Sequence, residues 1–204
     1  MYGREVSAEE IMEIVRKDKD FYQRSGGGFT ISGGEPMVQF ENLLDLVKKA
    51  KEEEIHVCLD TCGYADTEKY QKIAPYVDTF LYDYKITGEE EHKKYTGVSN
   101  RLILKNLDML CRNGNQIILR CPIIPGINDK EEHYRMIAGL SEKYPQITQV
   151  NLMTYHDMAK GKAAQIGTTY ALSDVKTIEK EEKTEDLPKG RKLWMPEIKR
   201  KLKE

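Results

Sequence analysis

The chain has 204 residues, of which 39% are hydrophobic, 8% aromatic and 32% charged. Lys and Arg number 32 against 34 Asp and Glu, and this net charge of −2 excludes nucleic-acid binding through bulk positive charge. No run approaches the ~18 apolar residues of a membrane helix, and the polar opening from Met1 to Glu10 has no signal-peptide pattern. No membrane role and a cytoplasmic location are therefore expected. The cysteines are Cys58, Cys62, Cys111 and Cys121, too few for a disulfide framework in a chain this long, so reduced thiols are expected.

In chain order, Ser7-Ala8-Glu9-Glu10 is a capping box that opens a helix reaching Tyr22. A strand-like run follows at Phe29–Ser32, then a helix with Phe40, Leu43, Leu44, Val47 and Ala50 at helical spacing. Further strand-like runs lie at His56–Thr61, Thr79–Tyr84, Gln116–Ile124 and Gln149–Tyr155. Ser99 can cap a helix carrying Leu102, Ile103, Leu107 and Leu110, with Gly114 just past its end. Asn128 or Asp129 starts another, with His133, Met136, Ile137 and Leu140 inside and Pro145 after it. From Val175 to Glu204 the chain is rich in Lys and Glu and reads as a charged helix and tail. The expected division is a barrel-like domain over 1–172 and a charged C-terminal segment over 173–204.

Strands joined by helical connections imply parallel pairing with right-handed crossovers. The fold class is α/β, and either an open sheet or a barrel fits. At least four parallel strands in sequence order are expected, with helices on one side. In both architectures chemistry belongs at the carboxyl ends of the strands.

Those ends are consistently polar. Ser32-Gly33-Gly34-Glu35-Pro36 fits either a strand-to-helix turn or a loop whose backbone approaches a ligand. Asp60-Thr61-Cys62-Gly63 ends the second run, with Asp60 either capping the next turn or facing a site. Asp83 and Lys85 are two residues apart and share a face; they suit a zwitterionic ligand or a structural ion pair. Arg120 lies in an apolar run and requires a partner, for which Asp83 is a candidate. Thr154-Tyr155-His156 ends the last run, and a histidine there is structural or catalytic. His56, His92 and His133 read as surface or helix positions without a role. A purely structural domain has no need of five strand ends furnished in this way.

Taken in order and spacing, these motifs resemble the glycyl-radical-enzyme activating enzymes, radical S-adenosylmethionine proteins of the pyruvate formate-lyase activator type. The resemblance runs from about Gly3 to about Tyr170. It implies a partial (β/α)6 barrel of the radical SAM type whose strand ends bind S-adenosylmethionine. Gly33, Gly34 and Glu35 match the grip on the methionine amino group. Asp83 and Lys85 match the pair that contacts the methionine carboxylate, and His156 a residue near the adenosine. Arg120 belongs to the same binding set, while Asp60, Thr61 and Asp83 match a monovalent-cation site. No catalytic side chain is implied.

The family usually has Asn where this chain has Cys62, and often Pro in place of Thr154. The family's Cys-x-x-x-Cys-x-x-Cys loop does not occur in these 204 residues, and Cys58-x-x-x-Cys62 is followed by Ala65 instead of a third cysteine. Three thiolates are needed to hold a site-differentiated 4Fe–4S cluster. The expectation is an N-terminally truncated activase, lacking the first strand and cluster loop, with an exposed sheet edge beside Phe29–Ser32 that favours self-association. The cluster is then expected only in the full-length protein. That protein would take an electron from flavodoxin or ferredoxin and cleave S-adenosylmethionine. It would thereby place a radical on a glycine of a partner enzyme of the pyruvate formate-lyase type. Two other readings stand beside it: a cluster-free S-adenosylmethionine-binding or scaffold protein, and a Schiff-base lyase using Lys85 as nucleophile. Asp83 beside Lys85 disfavours the second, because it stabilises the ammonium over the free amine.

Overall fold

The computed structural model describes residues 4–155. The charged C-terminal segment and His156 lie outside the described residues.

Ser7 caps α1 (Ala8–Val15): its hydroxyl accepts from Glu10 N at 3.2 Å, while the Glu10 carboxylate accepts from Ser7 N at 2.7 Å. The sequence predicts one helix to Tyr22, but the structure breaks it with a 3-10 turn at Arg16–Asp18 before α2 (Lys19–Ser25). Ala8, Met12 and Val15 form the buried stripe of α1, whereas α2 buries no residue. The charged run Arg16-Lys17-Asp18-Lys19-Asp20 has no apolar position to continue that stripe, so nothing holds the helix in register. Gly26, at φ 65°, closes α2 in the left-handed conformation that glycine adopts freely.

Five strands follow: β1 (Gly28–Ile31), β2 (His56–Thr61), β3 (Thr79–Asp83), β4 (Gln116–Ile123) and β5 (Ile147–Thr154). Every pairing is parallel and the spatial order equals the sequence order. The connections are α3 (Phe40–Glu52), α4 (Thr67–Ile73), α5 (Glu89–Thr96) with α6 (Arg101–Arg112), and α7 (Glu131–Lys143). Crossovers of one hand between sequential neighbours place the helices on one side of the sheet. The burial pattern agrees with this. In β2 Val57, Leu59 and Thr61 are buried while His56, Cys58 and Asp60 are half-exposed. In β4 Ile117, Leu119, Cys121 and Ile123 are buried and Ile118, Arg120 and Pro122 are not. One face is therefore packed and the other open.

Two helix starts differ from the sequence reading. Ser99 accepts from Arg101 N at 3.1 Å, yet Asn100 occupies the cap position of α6. Asn128 and Asp129 precede α7 instead of starting it. Their carboxamide and carboxylate oxygens accept from Ile124 N at 2.7 Å and Gly126 N at 2.8 Å, closing the turn that Pro125 opens. His92 and His133 do lie on helices, but both are buried, each on the inward side of its helix. No helix among the described residues is long and apolar enough to cross a membrane.

Candidate functional site

The open face carries one charged network at the carboxyl ends of β2, β3 and β4. Asp83 pairs in register with Arg120, while Asp60 pairs with Leu81, two residues earlier on β3, so all three charges point to the same face. Arg120 Nη1 donates to Asp60 Oδ2 at 2.5 Å, and Ser32 Oγ, from beyond β1, donates to the same oxygen at 3.0 Å. Arg120 Nε and Lys85 Nζ each lie 3.5 Å from an oxygen of Asp83. Burial pushes the Asp83 carboxyl above the ordinary carboxylate range, against the opposing pull of Lys85 and Arg120. Asp83 Oδ1 is buried and accepts no hydrogen bond among the described residues, although the Arg120 cation stands beside it. Lys85 is the most exposed of the charged members, with 40% of its side chain accessible.

Glu35 is engaged differently. Its Oε1 accepts from Met37 N at 3.2 Å and from the Thr61 hydroxyl at 2.8 Å, and its Oε2 accepts from Cys62 N at 2.7 Å. Thr61 also meets Tyr70 Oη at 2.6 Å on the packed side. The Glu35 carboxylate thus ties the Gly33-Gly34 loop to the end of β2. The Thr61 hydroxyl is turned away from Asp60 and Asp83, so of the three candidate cation ligands only the two carboxylates come together as side chains.

The glycines in this region divide by cause. Gly63, at φ 78°, lies against Tyr82, where an added Cβ would come within 2.2 Å of the Tyr82 oxygen, so packing and backbone both demand glycine. Gly33 requires glycine for its φ of 140°. Gly34 has neither reason: its φ is ordinary, and an added Cβ would meet nothing within 4 Å. The loop leaves room that the chain itself does not fill.

The roles of two buried polar residues beneath the site escaped the sequence reading, which took Asn128 only as a candidate helix start. Asn106 Nδ2 donates to the carbonyls of Gly63 at 2.9 Å and Ala65 at 2.8 Å, fixing the turn after β2. Asn128 Nδ2 donates to the carbonyls of Lys85 at 2.6 Å and Pro122 at 2.7 Å. A sequence signal existed for Asn106, which lies on the apolar face of α6 with Ile103, Leu107 and Leu110. Asn128 sits in a turn and carries no such signal. A cavity of about 240 Å³ lies at the opposite, amino end of β1 and β2, lined by Lys19, Tyr22, Gly26, Glu54 and His56 among others. None of the candidate site residues lines it, and the chemistry on the open face decides against it as the main site.

The description "Radical SAM superfamily" fits residues 1–137, so the chain belongs to that superfamily. Its relatives there are activating enzymes. The chain is 40% identical to the (2S)-3-sulfopropanediol dehydratase activating enzyme of Klebsiella oxytoca, over 86% of this chain and 56% of that protein. It is 32% identical to the pyruvate formate-lyase-activating enzyme of Clostridium pasteurianum, over 89% of this chain and 76% of that protein. A solved domain of pyruvate-formate lyase-activating enzyme from Bacteroides vulgatus superposes with a TM-score of 0.63 at 25% identity, covering 87% of this chain and 93% of that one. The chain thus spans little more than half the length of the Klebsiella relative.

The superfamily implies S-adenosylmethionine and a 4Fe–4S cluster, and the residues present fit the two unequally. The space at Gly34, the Asp83 oxygen that accepts no hydrogen bond and the accessible ammonium of Lys85 suit a zwitterion. The thiols do not suit a cluster. Burial pushes Cys62 up to about 11 and Cys111 up to about 12, and raises Cys58 and Cys121 as well, so none favours the thiolate a cluster needs. Cys111 lies on α6 and Cys121 on β4, on different elements from Cys58 and Cys62. Among the described residues no group of three or more His, Cys, Asp or Glu side chains could hold a metal ion.

Proposed function

We propose that this chain is the S-adenosylmethionine-binding part of a glycyl-radical-enzyme activating enzyme. The carrying observation is Arg120, which grips Asp60 and approaches Asp83 at neighbouring strand ends while Lys85 stays accessible beside them. Such a network offers a zwitterion an ammonium for its carboxylate and acceptors for its amino group, held a few Å apart without reorganisation. Gly33 and Gly34 admit the ligand backbone to backbone, and Glu35 holds their loop against β2. Asp60 and Asp83 together offer a monovalent cation two carboxylates, and the Oδ1 of Asp83, which accepts no hydrogen bond among the described residues, supports that reading. His156 is proposed near the adenosine.

The whole enzyme's activity is proposed from its relatives: S-adenosylmethionine supplies the organic radical, and a glycine of a partner enzyme of the pyruvate formate-lyase type receives it. A flavodoxin- or ferredoxin-type donor supplies the electron. What the described residues contribute is binding, orientation and charge; the four thiols present are not assigned to the cluster.

Equilibrium dialysis with S-adenosylmethionine and with its decarboxylated analogue tests the reading. Saturable binding that prefers the intact molecule is expected, and Lys85→Ala is expected to remove the preference. Equal binding of both ligands by the unaltered chain would argue for a scaffold that merely retains the fold. Trapping of a carbonyl compound by borohydride at Lys85 would favour the lyase reading instead.

A further inference from the structure

Behind the Asp83–Lys85 pair lies a buried relay that the binding network does not use. Tyr84, between the two charged residues, points to the packed side and is buried. Its ring stacks on His133 of α7, with centroids 5.4 Å apart and planes 12° from parallel. Tyr84 Oη donates to Thr87 Oγ1 at 3.0 Å, and Thr87 Oγ1 lies 2.7 Å from His133 Nδ1. The Thr87 hydroxyl already accepts the tyrosine proton, so its own proton is free to go to Nδ1. That bonding assigns the hydrogen of the neutral imidazole to Nε2.

Nε2 is buried and has no hydrogen-bond partner among the described residues. A buried unpartnered donor costs free energy that an apolar ring of the same size in this slot would not incur. The ring's distinguishing contribution here is the acceptor it offers Thr87. Two further groups hold the same stretch of chain: Asn128 Nδ2 on the Lys85 carbonyl and Asn100 Nδ2 on the Thr87 carbonyl, at 2.6 and 2.7 Å. Tyr84 N completes the fixation by donating to the Arg120 carbonyl at 2.8 Å.

We propose that His133 is a positioning residue for ligand binding. Through Thr87 and Tyr84 it sets where the strand end presents Lys85 to the ligand's carboxylate and Asp83 to its amino group. The inference rests on the S-adenosylmethionine reading of the site, and it extends that reading to a helix that touches no ligand. Tyr84 transmits the constraint because it is covalently between the two charged residues and is held at both ring and hydroxyl. A shift of its ring moves both neighbours together.

The test compares S-adenosylmethionine with decarboxylated S-adenosylmethionine by equilibrium dialysis on the full chain and four variants. Thr87→Val removes the hydroxyl at nearly constant volume, and His133→Phe keeps a ring but removes the acceptor. Each is expected to weaken S-adenosylmethionine about five- to tenfold, the worth of one ordinary hydrogen bond. The decarboxylated ligand should be unaffected, and Thr87→Ser should restore wild-type preference. Lys85→Ala serves as the site control. If Lys85→Ala changes nothing, the site reading falls and the inference with it. If Lys85→Ala removes the preference while Thr87→Val and His133→Phe retain it, the reading stands and the inference is overturned. Equal weakening of both ligands in Thr87→Val, or failure of Thr87→Ser to rescue, would reduce His133 to a structural residue and also overturn it.

Discussion

The two faces of this sheet are built from the same strands and do different work. Leu119 is fully buried against the helical layer, and its neighbour Arg120 is half-exposed between two carboxylates. Leu59 and Asp60 repeat the contrast on β2, as do Tyr82 and Asp83 on β3. Parallel sheets are ordinarily covered on both sides, and their strands then read as continuous apolar runs. Here alternation with a period of two lets each strand give one face to the core and the other to a site. The charges are tolerated because they are paired and still touch solvent. A slip of one residue would exchange the two faces and lose both functions.

That contrast breaks most visibly on the packed side. Leu119→Ala should cost about 3 kcal/mol of stability by denaturant unfolding, because it opens a cavity in a covered layer. Arg120→Ala, one residue away, should cost less, about 1–2 kcal/mol, since the freed carboxylates can draw in water. Its larger effect should be on ligand preference. A reversal of those two magnitudes would mean that the open face is not open.

Acid sharpens the comparison. Burial lowers the pKa of His133 to about 4, below the ordinary 6.5, so its folded state favours the neutral ring. The stability this protects is present above pH 6.5 and is lost as pH falls from 6.5 toward 4. The loss amounts to up to about 3 kcal/mol, because each pH unit crossed between the unfolded and folded pKa removes about 1.4 kcal/mol. His133→Phe should remove that component of the pH dependence, measured as a flatter melting-temperature profile between pH 6.5 and 4.5. The open face behaves in the opposite sense. Asp83 is raised by burial, so its ionisation as pH rises weakens the fold, and Asp83→Asn should leave the neutral-pH melting temperature unchanged or higher. A smaller effect is expected far from both faces, where Ser7→Ala removes a helix cap worth about 1 kcal/mol.

Much of this arrangement was legible in the residues. The capping box at Ser7, the five parallel strands and their order follow from local pattern and crossover handedness. So does the meeting of Asp60, Asp83, Lys85 and Arg120, because a parallel sheet brings successive strand ends to one edge. What escaped is what depends on tertiary partners. Nothing in the neighbourhood of Glu35 says that its carboxylate will be spent on Thr61, Cys62 and Met37. His133 sits at helical spacing with Ile137 and Leu140, which marks its face as inward, but its stack on Tyr84 requires the packing of α7 against the end of β3. The break at Arg16 was missed because helix propensity continues through a charged run whose burial stops.

S-Adenosylmethionine is proposed to bind at the strand ends of the open face. Hydrogen exchange with and without that ligand tests it at the resolution of single segments. Slower exchange is predicted at residues 32–36, 60–63 and 83–87 on adding S-adenosylmethionine, with little change around the cavity at Lys19, Tyr22 and His56. Protection confined to that cavity, or no protection at the strand ends under saturating ligand, would contradict it.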